Sequence, residues 1–148
     1  MGWEIERKFL VRKEHLPREL PEGDELEQGY LSVDPTVRVR LVTGHEGTRH
    51  AEITIKGKGS VSRPEFNYPI PDEDAEALLA LCDRSLRKVR RKLGRFELDH
   101  FRERDLWLAE IELSDERERF DRPPWLGEEV TGDPRYANSR LATPRQGG

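Results

Sequence analysis

The sequence predicts an α+β domain built mainly from antiparallel strands, about eight of them, with a few helices. Three observations predict it. Apolar and charged residues alternate with period two over most of the chain, glycine-containing turns separate the alternating runs, and only two segments carry helix signals.

Taken in order, Trp3–Val11 sets Glu4, Glu6 and Lys8 against Ile5 and Phe9. Gln28–Val33 is a weaker strand, preceded by Gly23 and closed by Asp34-Pro35. Thr36–Val42 sets Arg38 and Arg40 against Val37, Val39 and Leu41, and Ala51–Lys56 sets Glu52, Thr54 and Lys56 against Ile53 and Ile55. Ser62–Ile70 carries Arg63, Glu65 and Asn67 on one face. Arg87–Leu93 carries Lys88, Arg90 and Lys92, Arg95–Phe101 carries Glu97 and Asp99, and Leu106–Leu113 carries Glu110 and Glu112. Turns fall at Gly44–Gly47, at Gly57-Lys58-Gly59-Ser60 and at Gly94.

A helix opens at Pro71-Asp72-Glu73-Asp74, its acids suiting the positive N-terminal end, and runs through the apolar stripe Ala75, Leu78, Leu79 and Cys82. A second, shorter helix is expected from Asp133-Pro134 to about Ala142, with residues 143–148 a flexible tail.

The 148 residues fit one domain, 1–148, and hold no internal repeat or dividing linker. Charged residues make up 38% of the chain, yet 26 basic and 30 acidic side chains nearly cancel, so the composition reads as folded with a polar interior feature. A net charge of −4 argues against general binding of nucleic-acid backbones. One cysteine excludes an intrachain disulfide, and there is neither an N-terminal apolar run nor a ~20-residue apolar stretch. The expectation is a cytoplasmic protein without a membrane or nucleic-acid partner, monomeric or homodimeric.

Sorting the strands by face gathers eight cations (Lys8, Arg38, Arg40, Lys56, Arg63, Lys88, Arg90, Lys92) with eight carboxylates (Glu4, Glu6, Glu52, Glu65, Glu97, Asp99, Glu110, Glu112). Two architectures accommodate them. In an open sheet the charged face meets water. In a closed eight-stranded barrel it points inward, and must surround water, metal ions and a polyvalent anion, because burying each ion costs several kcal/mol. Alternation alone does not choose between them.

The first strand carries more specific chemistry. Glu4-Ile5-Glu6-Arg7-Lys8 has the form E-x-E-x-K, which places two carboxylates and an ammonium on one side of a strand, roughly 7 Å apart. Paired carboxylates suit Mg²⁺ or Mn²⁺, and a lysine beside them suits a phosphate oxygen. It is followed by Gly29-Tyr30-Leu31, Val37-Arg38-Val39-Arg40, Thr54-Ile55-Lys56, Ser62-Arg63-Pro64-Glu65, Lys88-Val89-Arg90, Glu97-Leu98-Asp99 and Glu110-Ile111-Glu112, then Gly127-Glu128-Glu129-Val130-Thr131 and Tyr136-Ala137-Asn138. In that order the chain resembles the CYTH superfamily, the triphosphate tunnel metalloenzymes, from Glu4 to about Leu141.

The resemblance implies an eight-stranded closed β-barrel with outer helices that hydrolyses a triphosphate with one or two Mg²⁺ or Mn²⁺ ions. It implies Glu4, Glu6, Asp99, Glu110 and Glu112 as metal ligands, and Lys8, Arg38, Arg40, Lys56, Arg63, Lys88 and Arg90 as the phosphate grip. Lys8, Lys88 and Glu65 are the catalytic candidates, Lys88 and Glu65 those for activating the attacking water. Arg63 and Glu65 read as a supporting pair, Glu65 also as a second-metal ligand, and Lys92 and Glu97 are left between site and rim. Pro123-Pro124-Trp125-Leu126-Gly127 is similar to compact bacterial members, which favours inorganic tripolyphosphate as the small-molecule substrate, cleaved to pyrophosphate and phosphate. The alternatives are a class IV type adenylate cyclase, a thiamine or nucleoside triphosphatase and, from another class, a non-catalytic polyphosphate-binding module. The last has little use for the metal carboxylates.

Other signals are discounted. Lys56–Ser60 lacks the G-x-x-x-x-G-K-[ST] order and reads as a hairpin turn, with Lys58 at the tunnel mouth. His15, His45, His50 and His100 lack zinc spacing, and Cys82 reads as packing. Trp3, Trp107 and Trp125 read as core or shell.

Overall fold

The computed structural model describes residues 2–59 and 61–144. Eight long strands follow the alternating segments: β1 (Gly2–Val11), β2 (Asp24–Val33), β3 (Thr36–Thr43), β4 (Arg49–Lys56), β5 (Ser62–Ile70), β6 (Arg84–Leu93), β7 (Phe96–Phe101) and β8 (Leu106–Glu112). Each is hydrogen-bonded to two antiparallel neighbours in the cyclic order β6-β2-β3-β4-β5-β1-β8-β7, and β7 pairs back with β6. The sheet therefore closes into a barrel without a free edge.

Closure turns the usual arrangement inside out: the apolar face of the alternating pattern lies outside, and much of it is buried by other parts of the chain. Helix α1 (Asp72–Leu81) lays Ala75 and Leu79 on Val39, Leu41 and Ala51. It approaches closely because β2 offers Gly29, where a Cβ would stand 2.7 Å from Cys82 Sγ. Cys82 is buried, as its place on the helical stripe predicts. On the other side, residues Leu113, Phe120, Trp125 and Leu126 cover Phe9, Phe96, Leu98, Ala109 and Ile111, with Phe96 edge-on to Trp125 and to Phe120. Gly94, at φ 62°, turns β6 into β7.

The C-terminal region departs from expectation. Leu126–Glu129 forms a short strand, β9, which pairs with the end of β1 that β5 leaves unpaired. The single helix expected over 133–142 is broken: a 3₁₀ turn at Pro134–Tyr136 stops at Ala137, whose ψ of 135° is extended, and α2 spans only Asn138–Leu141. Tertiary packing decides this. Leu141 and Ala142 are drawn into an apolar plug with Leu86, Phe101 and Leu108 at one end of the barrel interior. Thr143 and Pro144, expected in the flexible tail, form a short strand, β10, paired with Ser85 and Arg84 of β6; residues 145–148 lie outside the described residues. Trp125 is core and Trp107 is half-buried against the His100 ring, but Trp3, expected in the core or shell, is 62% exposed.

Candidate active site

The interior above the apolar plug holds a cavity of about 490 Å³. Inward positions supply its walls: Glu4, Glu6 and Lys8 from β1, Arg38 and Arg40 from β3, Glu52 and Lys56 from β4, and Arg63 and Glu65 from β5. Arg90 from β6, Glu97 from β7, and Glu110 and Glu112 from β8 complete the ring. Six cations thus face eight carboxylates once Asp133 is included, a lining short of positive charge before any anion enters.

The two signs are not evenly mixed. Arg38 and Arg40 stand side by side on β3, and their nearest carboxylate is a shared one, Glu52, at 3.6 and 3.8 Å. Arg38 donates to Thr54 Oγ1 at 3.1 Å, and Arg40 donates from Nε to Gln28 Oε1 at 2.6 Å. Arg38 Nε is buried with no hydrogen-bond partner among the described residues. Burial, with Arg38 and Arg90 adding to it, pushes Arg40 down to about 9, so the guanidinium stays charged in a field that repels it.

The carboxylate side is centred on β1 and β8, where Glu6 pairs in register with Glu112, and Lys8 with Glu110. Glu6 is held well above the ordinary carboxylate range, first by burial and then by Glu110 and Glu4. Glu4 has cations of its own: Lys56 Nζ at 2.7 Å and Arg63 Nε at 3.3 Å. Burial pushes Glu4 up, but Lys56 outweighs it, helped by a hydrogen bond with Glu65 and by Arg63, and the carboxyl falls to about 2. Among the described residues no three carboxylates converge into a preassembled metal cage.

Below Arg90 lies a fully buried network. Asp99 accepts from Nε and a terminal nitrogen of Arg90, both at 2.8 Å, and pairs with Lys88 Nζ at 2.7 Å. Burial alone would raise Asp99; Arg90 and Lys88 outweigh it and bring it to about 2. Burial, with Arg90 adding to it, lowers Lys88 to about 7 against the opposing pull of Asp99.

The charged inward residues named from the sequence mostly meet around one cavity, with four differences. Asp99 faces the interior but is taken up by Arg90 and Lys88, apart from the Glu6 cluster, and Lys88 does not line the main cavity. Arg63 pairs with Glu4, while Glu65 takes Asn67 and Lys56 as partners at 2.6 and 3.6 Å. Lys92 is exposed and donates to the Arg95 carbonyl, whereas Glu97 lines the cavity and pairs with Arg90 at 3.0 Å. Lys58 does not line the cavity, though Gly59 of the same turn does.

Sequence reasoning also missed residues. Gln28, Thr54, Tyr30 and Asn67 occupy inward positions but are neutral, so a search for charge passes over them; their parity in the alternating pattern was the available signal. Residues 130–139, two of whose motifs carry the resemblance, were given no site role, yet they form one wall of the cavity. Thr131 Oγ1 accepts from the Lys8 amide at 2.9 Å, and the Tyr136 carbonyl accepts from Lys8 Nζ at 2.9 Å.

A closed antiparallel barrel with an ionic interior and an apolar exterior under α1 is the architecture the resemblance anticipated. A model of the CYTH domain matches residues 3–137, and the chain belongs to that family. Its relatives include an inorganic triphosphatase of Acetivibrio thermocellus, 40% identical and covering 95% of this chain and 94% of its own. An inorganic triphosphatase of Nitrosomonas europaea is 37% identical over 94% and 96%. The crystal structure of an inorganic triphosphatase aligns with a TM-score of 0.61 at 34% identity, over 99% of both chains.

Proposed function

We propose that this protein hydrolyses the terminal phosphoanhydride bond of inorganic tripolyphosphate, giving pyrophosphate and phosphate, with one or two divalent ions, Mg²⁺ or Mn²⁺. The observation that carries the reading is one interior cavity with two poles: adjacent arginines that share a single carboxylate, Glu52, and a carboxylate cluster around Glu6. The similarity to inorganic triphosphatases supports the same substrate.

Arg38, Arg40, Lys56, Arg63, Arg90 and Lys8 are the groups that grip phosphate oxygens. The unpartnered Nε of Arg38 and the fork geometry of arginine suit that task. Glu6, Glu110 and Glu112, with Glu4, are the oxygen donors fit for a divalent ion. Mg²⁺ takes only one or two carboxylates and completes its shell with water and substrate phosphate, so a cage of three is not required. The excess of carboxylates over cations in the lining points the same way, since a polyanion enters such a cavity favourably only with added positive charge. An ion held there would neutralise charge on the transferring oxygens and lower the pKa of its water.

Phosphoryl transfer demands positioning and charge neutralisation more than covalent help. The water oxygen attacks the terminal phosphorus, the bond to the bridging oxygen breaks, and pyrophosphate leaves. Glu65, raised by burial and by its neighbour Glu4, faces the cavity and is suited to take the water's proton. Lys8, anchored by the Tyr136 carbonyl, is placed for the departing oxygen. Lys88 acts from behind, through Asp99 and Arg90. Asp99 is assigned there to holding those cations, not to the metal.

The test is a panel of tripolyphosphate, thiamine triphosphate and ATP with Mg²⁺, detecting phosphate, pyrophosphate and cyclic AMP separately. Phosphate from tripolyphosphate, abolished by chelator, is expected. Cyclic AMP as the main product from ATP, or turnover unaffected by chelator, overturns the reading.

A further inference from the structure

The cations of the cavity differ in what their cross-strand neighbours do to their charge. Arg90 stands in register with Asp99, which binds it twice, and lies near Glu97 and Glu110 at 3.0 and 3.5 Å. Much of its charge is met within the protein, so its share of the phosphate grip is smaller than that of Arg38 and Arg40. Arg40 stands between Gln28 on β2 and Glu52 on β4, and Arg38 between Tyr30 and Thr54. The short, buried contacts of these two are to neutral oxygens: Gln28 Oε1 at 2.6 Å and Thr54 Oγ1 at 3.1 Å. Gln28 and Thr54 are both completely buried, and Thr54 in turn donates to Asn67 Oδ1 at 2.6 Å, which fixes its hydroxyl.

We infer that Gln28 and Thr54 are positioning residues that orient Arg40 and Arg38 through neutral acceptors, so that both guanidinium charges stay available for the phosphates. The inference rests on the proposed phosphate grip and adds to it a reason for neutral residues in an otherwise ionic ring. A carboxylate at position 28 would hold Arg40 at least as well, because charge-assisted bonds are stronger, but would cancel the charge the substrate needs. A neutral acceptor gives orientation without cancellation.

The distinguishing variant is Gln28→Glu, nearly isosteric and still an acceptor for Arg40 Nε. Its melting temperature is expected to equal or exceed that of the parent. KM for tripolyphosphate should rise roughly tenfold or more, the scale of one charged hydrogen bond, with a smaller change in kcat. Calorimetry with pyrophosphate and Mg²⁺, which involves no turnover, should show the same loss of affinity. A merely structural Gln28 would give unchanged KM and pyrophosphate affinity in a stable Gln28→Glu protein, and that result overturns the inference. If Gln28→Glu does not fold, Gln28→Met deletes the acceptor at similar volume, and pyrophosphate affinity unchanged in that variant overturns it equally. Arg40→Ala separates the two levels. If it binds pyrophosphate normally, the phosphate-grip reading fails; if it binds weakly while Gln28→Glu binds normally, only the positioning role fails.

Discussion

Glu6 stands on β1 opposite Glu112; burial raises its pKa, and the charges of Glu110 and Glu4 raise it further. Ionised Glu6 therefore costs stability in the metal-free protein at neutral pH, and a bound divalent ion removes that cost. Glu6→Gln is expected to raise the melting temperature of the metal-free protein, to abolish the increment added by Mg²⁺, and to cut kcat by about a hundredfold or more. Differential scanning fluorimetry with and without Mg²⁺ checks the first two effects, and an undiminished Mg²⁺ increment would remove Glu6 from the metal site. Arg38 tests the opposite pole. With its Nε unpartnered and Thr54 its nearest acceptor, Arg38→Ala should raise KM for tripolyphosphate by roughly tenfold or more while the fold survives. Steady-state kinetics that leave KM in place would count against the grip.

At the scale of the element, α1 and β2 meet where neither amphipathicity nor strand propensity alone would bring them. Gly29 is the point of contact: a methyl there would meet Cys82 Sγ at 2.7 Å and Leu79 Cδ2 at 3.0 Å. Gly29→Ala is expected to destabilise by about 1–3 kcal/mol, the usual cost of overpacking, measured as a lower urea midpoint with unchanged slope. A neutral effect would mean that α1 can slide outward without loss. The C-terminal segment shows the reverse case. Asp133-Pro134 is a helix-start signal, yet the chain breaks at Ala137 so that the Tyr136 carbonyl can meet Lys8 while Leu141 reaches the plug. The signal announces a helix start, but two separate docking points outweigh the propensity of a ten-residue segment.

Over the whole molecule, the barrel is held from outside by two apolar layers and from inside by ion pairs, so acid should loosen it from within. Asp99 falls from its ordinary 3.8 to about 2 on folding, because Arg90 and Lys88 outweigh burial. A carboxyl depressed in this way stabilises the fold above its unfolded value. The contribution, about 2–3 kcal/mol, is lost as pH falls from about 4 towards 2. Urea titrations across pH 6 to 2 should show this decline. Asp99→Asn should flatten it while lowering stability by about 3–5 kcal/mol at neutral pH, since it leaves Lys88 and Arg90 buried without their counter-ion. An equally steep acid decline in Asp99→Asn would place the acid-sensitive group elsewhere, with Glu4 the next candidate at about 2.

The sequence by itself determined the eight barrel strands and the side of each on which its charges stand, because a period of two is imposed by local backbone geometry whatever the tertiary context. It also determined that Glu4, Glu6 and Lys8 share a face, which follows from the same geometry. Only the tertiary structure decided that this face points inward, since an open sheet and a closed barrel require the same alternation. Closure likewise settled which charges pair. Asp99 and Glu6 look alike along the chain, but β6 brings Arg90 and Lys88 to Asp99, while β8 brings two more carboxylates to Glu6. Gln28 and Thr54 became visible for the same reason: a neutral residue has no signature of its own until the register shows which charge it holds.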